Sequence, residues 1–192
     1  FENSASDVAP GTTQNGVLGG DANYAVDATR GRVLGLDGAG DYVSIADTSS
    51  FRALTQGTIA SWVKFTDSGF KVIFSVTDGA NNQNYLNVFV VNGKLGAQTT
   101  DGNVWVFETI STATINDGNW HHVAFTVNGS GNQLYIDGAA AARTFNMGNA
   151  TNSTFFSALN NLPHVTIGAD YTSPGSYVDS FSGQIDAVRV YG

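Results

Sequence analysis

The stretch of sequence that decides the fold is Trp120-His121-His122-Val123-Ala124-Phe125-Thr126-Val127-Asn128-Gly129. Successive side chains of an extended strand point to opposite faces, so Val123, Phe125 and Val127 share one face of this stretch. β-Branched and aromatic residues in such alternation, followed by Asn-Gly, are typical of a half-buried strand that ends in a turn. The stretch therefore predicts one strand of an antiparallel sheet. We also expect Trp120 to lie in the core, together with Trp62 of a similar stretch.

The same two-residue alternation recurs along the chain, in short runs separated by clusters of Gly, Asn and Asp. Eleven runs are predicted to be strands, namely Arg32–Leu36, Tyr42–Ile45, Thr58–Phe65, Lys71–Val76, Tyr85–Val91, Lys94–Thr99, Val104–Ile110, His121–Asn128, Gln133–Ile136, Val165–Ala169 and Gly183–Tyr191. Asn92-Gly93 favours a type I′ hairpin between two of them, and no 11-residue window keeps a helical period. Eleven strands in 192 residues predict an all-β, two-sheet antiparallel jelly-roll sandwich, folded as a single domain over residues 1–192.

The composition excludes several classes of partner and chemistry. There are 8 Lys and Arg against 16 Asp and Glu, which gives a net charge of −8. Nucleic acids and anionic membranes attract cationic surfaces, so neither is an expected partner. The absence of cysteine excludes disulfides and thiolate chemistry, and no apolar run approaches the roughly 18 residues of a membrane-spanning helix. Because the chain begins with Phe1 rather than Met, we interpret it as a segment excised from a larger protein.

Five stretches, taken in order, carry a family resemblance. They are Leu36–Val43, Thr58–Lys64, Trp120–Gly129, Gln133–Gly138 and Phe181–Tyr191. Together they resemble the laminin-G-like branch of the concanavalin A-like lectin/glucanase superfamily, and the resemblance covers nearly the whole chain. It implies a laminin-G-like sandwich of two antiparallel sheets, one concave and one convex. Because this fold hosts sugar binding, peptide binding, adhesion and catalysis, the resemblance alone does not decide the function.

Asp186 is the most informative single position for a metal site. It alternates in line with two valines of the last predicted strand, and a carboxylate on an apolar face needs a partner or a cation. The family resemblance implies a structural calcium ion that ties the first strand to the last. The matching positions here are Glu2, Gly31 and Asp186, with Asp27 in reserve. The alternative is that Asp186 pairs with an arginine and that Glu2 is an ordinary surface acid.

Catalysis by the route of the glucanase relatives is not expected. Those relatives carry a Glu-x-Asp-x-(x)-Glu strand, which places two glutamates on one face, and this sequence has no such stretch. Glu2 is terminal and Glu108 has no acidic neighbour, whereas a glycosidase needs two carboxyls roughly 5–10 Å apart. His121 and His122 are adjacent in a predicted strand and point to opposite faces, so they cannot bind one metal ion together. We therefore predict that the chain is not an enzyme.

Aromatic and amide side chains in the loops are the candidates for ligand binding. A sugar needs a flat apolar ring for its C–H face and amide or carboxylate groups for its hydroxyls. The stacking candidates are Tyr171, Tyr177 and Trp105. The candidates for reading hydroxyls, or for binding a second calcium ion, are Asp170, Asp179, Asn81 and Asn82. Within Asp170–Phe181, Pro174-Gly175 favours a tight turn that would hold the two tyrosines close together. The alternative is that these aromatic rings pack beneath ordinary sandwich loops.

The sequence thus predicts a non-catalytic extracellular or cell-surface recognition module. Its expected ligand is a polysaccharide or other glycan, and calcium is its expected cofactor. Two alternatives stay open at this point. One is an adhesion module that binds a protein or peptide, with a cell-surface protein as partner, and the other is a structural spacer in a large surface protein.

Overall fold

A computed structural model describes residues 15–46, 48–49, 52–79, 83–159 and 162–192. Within these residues the chain forms seventeen strands and one 3₁₀ turn, Phe156–Ala158. The strands are β1 Gly16–Gly19, β2 Asn23–Asp27, β3 Gly31–Asp37, β4 Tyr42–Ile45, β5 Gly57–Lys64, β6 Lys71–Thr77, β7 Tyr85–Val91, β8 Lys94–Asp101, β9 Val104–Thr114, β10 His121–Asn128, β11 Gly131–Ile136, β12 Ala139–Ala140, β13 Arg143–Met147, β14 His164–Ile167, β15 Asp170–Ser173, β16 Ser176–Val178 and β17 Ser182–Tyr191.

The strands form two large antiparallel sheets and one separate hairpin. The eight-stranded sheet has the order β1-β4-β14-β6-β7-β8-β9-β13, and the seven-stranded sheet has the order β12-β11-β10-β5-β17-β3-β2. The hairpin consists of β15 and β16. Strands distant in sequence are neighbours in both sheets, as where β17 lies between β5 and β3. The predicted all-β laminin-G-like sandwich is confirmed.

The hydrophobic core lies between the two sheets. Phe74 and Phe107 come from the eight-stranded sheet, Phe125 and Ile185 come from the seven-stranded sheet, and each is 1% exposed or less. Full burial of such a side chain contributes about 1.5–3 kcal/mol. The facing apolar sides therefore hold the sheets together and leave two outer faces for other contacts. No helix among the described residues has the length and apolar character needed to cross a membrane.

The eleven predicted strands are all present, and the bounds of three of them, Tyr42–Ile45, Tyr85–Val91 and His121–Asn128, agree to the residue. The six strands that the sequence did not predict are between two and five residues long. Two of these six strands form the hairpin within the segment that was expected to be a loop. Short strands lack the repeated alternation on which the prediction depends.

The prediction that Trp62 and Trp120 lie in the core is wrong. In β5 the core side chain is Val63, whereas Trp62 pairs with Asp186 of β17 on the opposite, outer face of the seven-stranded sheet. Trp120 lies over the same face, where the guanidinium carbon of Arg30 is 5.4 Å from the centre of its ring. Alternation identifies which residues share a face, but it does not identify which of the two faces is buried.

A β-bulge in β17 decides where Asp186 lies. Between Asp186 and Arg189 this strand has one residue more than the facing segment of β5, and Ala187 has a left-handed φ of 49°. The extra residue shifts the phase of the alternation. Asp186 therefore lies on the outer face although Val190 packs against the core, and the expected placement in line with the valines is wrong. Its carboxylate instead accepts a hydrogen bond from Nε of Arg30 at 2.7 Å.

Two histidines have pKa values that the fold shifts in opposite directions. At the start of β10, Nδ1 of His121 lies 2.8 Å from Oδ2 of Asp137, and Nε2 lies 3.2 Å from Oδ1 of Asp117. Burial alone lowers the pKa of His121, but the hydrogen bonds and charges of these carboxylates outweigh burial and raise it. Burial lowers the pKa of His164 in β14, and the negative charge of Asp78 opposes this effect only in part.

We expect an NMR pH titration to show His121 titrating above the ordinary value of 6.5 and His164 titrating below it. A raised pKa in the folded state means that the contribution of His121 to stability is complete below its unfolded pKa and is lost as the pH rises through its folded pKa. His121→Gln should therefore destabilise the protein more near about pH 6 than near about pH 8.5 in urea denaturation. Equal losses at both pH values would contradict this linkage.

Candidate functional site

The outer face of the eight-stranded sheet carries a row of polar side chains that crosses five strands. Its members are register partners from strand to strand, and they are Thr166, Ser75, Asn87, Gln98 and Glu108. The first four are between 0% and 6% exposed, and Glu108 is half-buried. We call this set the polar row. Buried polar groups cost free energy unless they are hydrogen-bonded, so their concentration on a face turned away from the core indicates a surface for polar contacts.

A second row lies beside the polar row, at the end of the sheet where β6 leads to β7. Its members, also register partners, are His164, Thr77, Tyr85, Thr100 and Trp105, and we call them the aromatic row. A β-bulge at Val106 turns Trp105 to this face, because β9 has one residue more there than β8. The indole meets the ring of Tyr85 edge-on, with 6.2 Å between the ring centres, and Trp105 is 45% exposed.

The β15–β16 hairpin covers one end of the polar row. The carboxylate of Asp170 accepts a hydrogen bond from Oγ of Ser75 at 2.7 Å and another from Nδ2 of Asn87 at 3.4 Å. The other side-chain atom of Asn87, Oδ1, is buried and has no hydrogen-bond partner among the residues that the structure describes. Asn87 therefore lies beneath the hairpin, where its amide helps to orient the carboxylate of Asp170.

Aromatic rings fix the hairpin in place. Tyr177 lies flat on Tyr42, with 3.4 Å between the ring centres. Tyr171 meets Tyr177 edge-on at 5.3 Å and lies 4.1 Å from the ring of His164. The two hairpin tyrosines are register partners across the Pro174-Gly175 turn, as expected from the sequence. Because Tyr171 is only 9% exposed and its ring contacts other protein rings, its stacking on a sugar stays a prediction.

Negative charge dominates this site. Burial raises the pKa of Tyr85, and the negative charges of Asp170 and Glu108 raise it further. Carboxylate and amide oxygens accept hydrogen bonds from hydroxyl groups, whereas an anionic ligand would be repelled. The arrangement therefore suits a neutral ligand that is rich in hydroxyl groups.

The other loop candidates lie at different distances from the two rows. Asn81 and Asn82 are outside the described residues. Their neighbour Asn84 accepts a hydrogen bond from the N–H of Gly102 at 2.9 Å, so the β6–β7 loop meets the β8–β9 turn close to Trp105. Asp179 lies farther away, near the start of β6, and burial raises the pKa of its carboxyl. The structure does not bring Asp179 to the aromatic row.

Sequence reasoning missed Ser75, Asn87 and Gln98 because it placed recognition in the loops. The signal was nevertheless present in the run Tyr85–Val91. Asparagine is disfavoured in strands, so an Asn at an outward-facing position of an otherwise apolar strand needs a reason. The register with Ser75 and Gln98 becomes visible only when the strand order is known.

The predicted calcium ligands have other partners wherever the structure describes them. Glu2 lies outside the described residues, and Gly31 begins β3. Asp186 forms an ion pair with Arg30, and Asp27 accepts hydrogen bonds from a threonine, from a backbone N–H and from a lysine ammonium group. Hydrogen bonds from the threonine hold the pKa of Asp27 well below its usual range. These contacts do not favour a cation beside either carboxylate, and the assignment stays a prediction.

A different group of carboxylates lies beyond the ends of β1 and β3. One oxygen each of Asp21, Asp37 and Asp41 lies within 4.8 Å of the others. Asp41 is buried and accepts hydrogen bonds from the backbone N–H groups of Asp21 and Asp37, at 2.9 and 3.0 Å, whereas the other two residues are exposed. Carboxylate oxygens are the donors that calcium prefers, so this cluster has the donor type of a metal site.

The fold agrees with what sequence comparison finds. A laminin-G family model, described as the concanavalin A-like lectin/glucanases superfamily, matches residues 37–192. The chain belongs to this superfamily. A search of curated proteins found no match.

Three solved structures show the same fold. Domain 4 of AbnA, a GH43 extracellular arabinanase from Geobacillus stearothermophilus, in complex with arabinotriose, has a TM-score of 0.69 and 18% identity over 98% of this chain and 87% of that chain. The CBM40 of the Ruminococcus gnavus IT-sialidase has a TM-score of 0.61 and 22% identity over 73% of this chain and 77% of that chain. Domains LG4-5 of the mouse laminin alpha1 chain have a TM-score of 0.58 and 16% identity over 99% of this chain and 45% of that chain. At these sequence identities, the similarity shows that the fold is shared.

The contacts of Tyr171 and Trp105 predict losses of stability that differ in size. Tyr171→Ala should lower the free energy of unfolding by about 3 kcal/mol or more, because its ring packs between His164 and Tyr177. Trp105→Ala, at the exposed edge of the aromatic row, should lower it by less than about 1 kcal/mol. Urea denaturation of both variants measures the difference. A small loss for Tyr171→Ala would mean that its ring is free to serve a ligand.

Proposed function

We propose that the chain is a non-catalytic carbohydrate-binding module that recognises a neutral oligosaccharide on the outer face of its eight-stranded sheet. The observation that carries this proposal is the polar row lying beside the exposed indole of Trp105. Aromatic rings hold the C–H face of a sugar, and amides and carboxylates exchange hydrogen bonds with its hydroxyls. Trp105 offers the ring, and Gln98 and Glu108 offer hydrogen-bonding groups on the adjoining part of the sheet.

Part of the polar row is open to a ligand. The β15–β16 hairpin covers one end, where Asp170 is hydrogen-bonded to Ser75 and Asn87, so the open end is that of Gln98 and Glu108 beside Trp105. Neighbouring strands lie about 4.8 Å apart, so this end spans about one sugar ring, and further rings of an oligosaccharide would extend past Trp105. The negative charges of Asp170 and Glu108 favour a neutral chain over an anionic one.

The comparisons support carbohydrate binding as the class of function. The AbnA domain is described in complex with arabinotriose, and the CBM40 of the sialidase is described as bound to alpha2,3 sialyllactose. Both are parts of larger enzymes, and one of those enzymes is described as extracellular. We propose the same setting for this chain, a module of a larger extracellular or cell-surface protein.

The proposal includes the absence of catalysis. Asp170 is 4% exposed and hydrogen-bonded to the sheet beneath it, and Oε2 of Glu108 accepts a hydrogen bond from Nδ2 of Asn146 at 2.7 Å. A glycosidase needs one carboxyl free to protonate the leaving oxygen and a second one to act on the sugar. These contacts argue against that division of roles.

Trp105→Ala should abolish measurable binding of neutral trisaccharides, such as arabinotriose, xylotriose and cellotriose, without loss of fold. A stacked aromatic ring contributes about 0.5–1.5 kcal/mol beyond the area it buries, and a millimolar complex has a binding free energy of only about 4 kcal/mol, so loss of the ring takes such a complex below detection. Isothermal titration calorimetry on the parent and the variant measures the change. Tyr191→Ala, which removes an exposed ring from the other sheet, is the control and should bind normally. If both variants bind like the parent, the ligand lies elsewhere; if only peptides bind, the adhesion alternative replaces this proposal.

A structural calcium ion is the second part of the proposed function. The cluster of Asp21, Asp37 and Asp41 fits a hard cation better than Asp186 does, because Arg30 already neutralises Asp186. Bound calcium would join the β1–β2 turn to the β3–β4 turn. It would stabilise the folded chain by about 2.7 kcal/mol at a calcium concentration 100 times its dissociation constant.

Differential scanning calorimetry with calcium and with a chelator tests this assignment. Calcium should raise the Tm of the parent and of Asp186→Asn, and it should not raise the Tm of Asp37→Asn. If calcium raises the Tm of Asp37→Asn but not that of Asp186→Asn, the ion binds at the site that the family resemblance implies. An unchanged Tm of the parent would remove calcium from the proposed function.

A further inference from the structure

The outer face of the seven-stranded sheet carries a groove of about 390 Å³, on the opposite side of the sandwich from the polar row. The small side chains of Ala60 and Ala124, register partners on β5 and β10, form its floor. Larger side chains form its walls, among them Trp62, His122, Arg189 and Tyr191. Ligand pockets have volumes of about 300–1,000 Å³, so the groove has room for one or two sugar residues.

Arg30 is held rigidly at one end of this groove. Its guanidinium carbon lies 4.2 Å above the ring of Trp62 and 5.4 Å from the ring of Trp120. Nε is hydrogen-bonded to Asp186, and 21% of the Arg30 side chain is exposed. Guanidinium groups that stack on indoles and pair through one edge keep a fixed orientation, and their remaining N–H groups suit a planar carboxylate. Arg30 is therefore preorganised for an anion.

The bulge in β17 sets the other wall. It places Arg189 on the same face as Trp62, and Nη1 of Arg189 lies 3.4 Å from the hydroxyl of Tyr191. Arg189 and Tyr191 are both exposed, Tyr191 at 49%. The bulge also keeps Ala187 at a positive φ, a conformation that costs free energy for a residue with a Cβ atom. Strain of this kind occurs most often where a strand presents side chains to a ligand.

The charges of this groove are unlike those of the rest of the chain. The protein has only 8 Lys and Arg in a net charge of −8, yet Arg30 and Arg189 both line the groove, where the carboxylate of Asp186 pairs with Arg30 and interacts electrostatically with Arg189. Aromatic side chains accompany both arginines. From this convergence we infer a second binding site, which takes a saccharide residue that bears a carboxylate, of the hexuronate class.

Each part of such a ligand has a matching group. Arg189 and the free edge of Arg30 receive the carboxylate, and the exposed ring of Tyr191 lies beside the C–H face of the sugar. The alanine floor lets the ring approach the sheet closely. The site is independent of the one on the eight-stranded sheet, where Asp170 and Glu108 disfavour an anion.

The three tryptophans of the chain distinguish the two sites in one experiment. Trp62 lines the groove, Trp120 lies beside Arg30 at its end, and Trp105 lies in the aromatic row. We would follow the three indole N–H signals of the ¹⁵N-labelled protein while adding digalacturonate or the matched neutral disaccharide, galactobiose. Trp105→Phe assigns one signal directly. Digalacturonate should shift the signals of Trp62 and Trp120, galactobiose should leave these two unchanged, and added NaCl should weaken the effect of digalacturonate.

Arg189→Gln should weaken digalacturonate binding about tenfold or more, the effect of losing a hydrogen bond to a charged group. Arg189→Lys keeps the charge but not the fork of donors, and it should bind with intermediate affinity. Lys94→Gln, at the start of β8 in the other sheet, removes the same charge and is the matched control. It should bind like the parent.

Three results obtained with the two disaccharides and the variants would overturn the inference. They are equal shifts of Trp62 and Trp120 with both disaccharides, a digalacturonate response confined to Trp105, and equal affinities of Arg189→Gln and Lys94→Gln. Shifts caused by an acidic peptide but not by digalacturonate would assign the groove to a protein partner, and would also overturn it. A missing response of Trp105 to neutral sugars bears only on the proposed function of the eight-stranded sheet.

Discussion

The alternation of side chains along a strand is the constraint on which the rest of this structure depends. Each strand gives every second side chain to the core, so the two sheets leave two outer faces that the core does not need. Several β-bulges shift the phase of that alternation, and two of them decide which side chains lie on the outer faces. The first places Trp105 beside Tyr85, and the second places Arg189 on the face of Trp62. Both bulges therefore add an outward-facing side chain without removing an apolar residue from the core.

The two outer faces have opposite electrostatic character. Asp170 and Glu108 lie on the outer face of the eight-stranded sheet, and both raise the pKa of Tyr85. Arg30 and Arg189 line the groove on the seven-stranded sheet. The sandwich core separates the two sites, so each can be tuned to its own ligand. A polysaccharide that contains neutral and acidic segments would meet both faces of such a module.

The fold could be predicted from the sequence because apolar and polar side chains alternate along its longer strands. The run His121–Asn128 has the same bounds in the sequence and in the structure. Side-chain alternation could not show whether Trp62 and Trp120 lie on the buried or the outer face of the sheet. It also could not reveal the extra residue in β17 that moves Asp186 to the outer face. The polar row was also beyond sequence reasoning, since Ser75, Asn87 and Gln98 become neighbours only through the strand order. Of the site residues that the sequence named, Trp105 is exposed beside the polar row, whereas Tyr171 is buried.

The packing of Tyr171 gives it a part in the site that does not require contact with a ligand. Its ring holds the β15–β16 hairpin against His164, and the adjacent residue of that hairpin, Asp170, is hydrogen-bonded to Ser75 and Asn87. A binding group is effective only when neighbouring contacts fix its orientation. Loss of the Tyr171 ring would free the hairpin, and the Asn87 amide would then lose the acceptor that orients it. A loss of affinity caused in this way follows the loss of stability, whereas loss of a stacking ring such as Trp105 reduces affinity while stability stays the same. The relation between the two losses therefore distinguishes a residue that positions the site from one that touches the sugar.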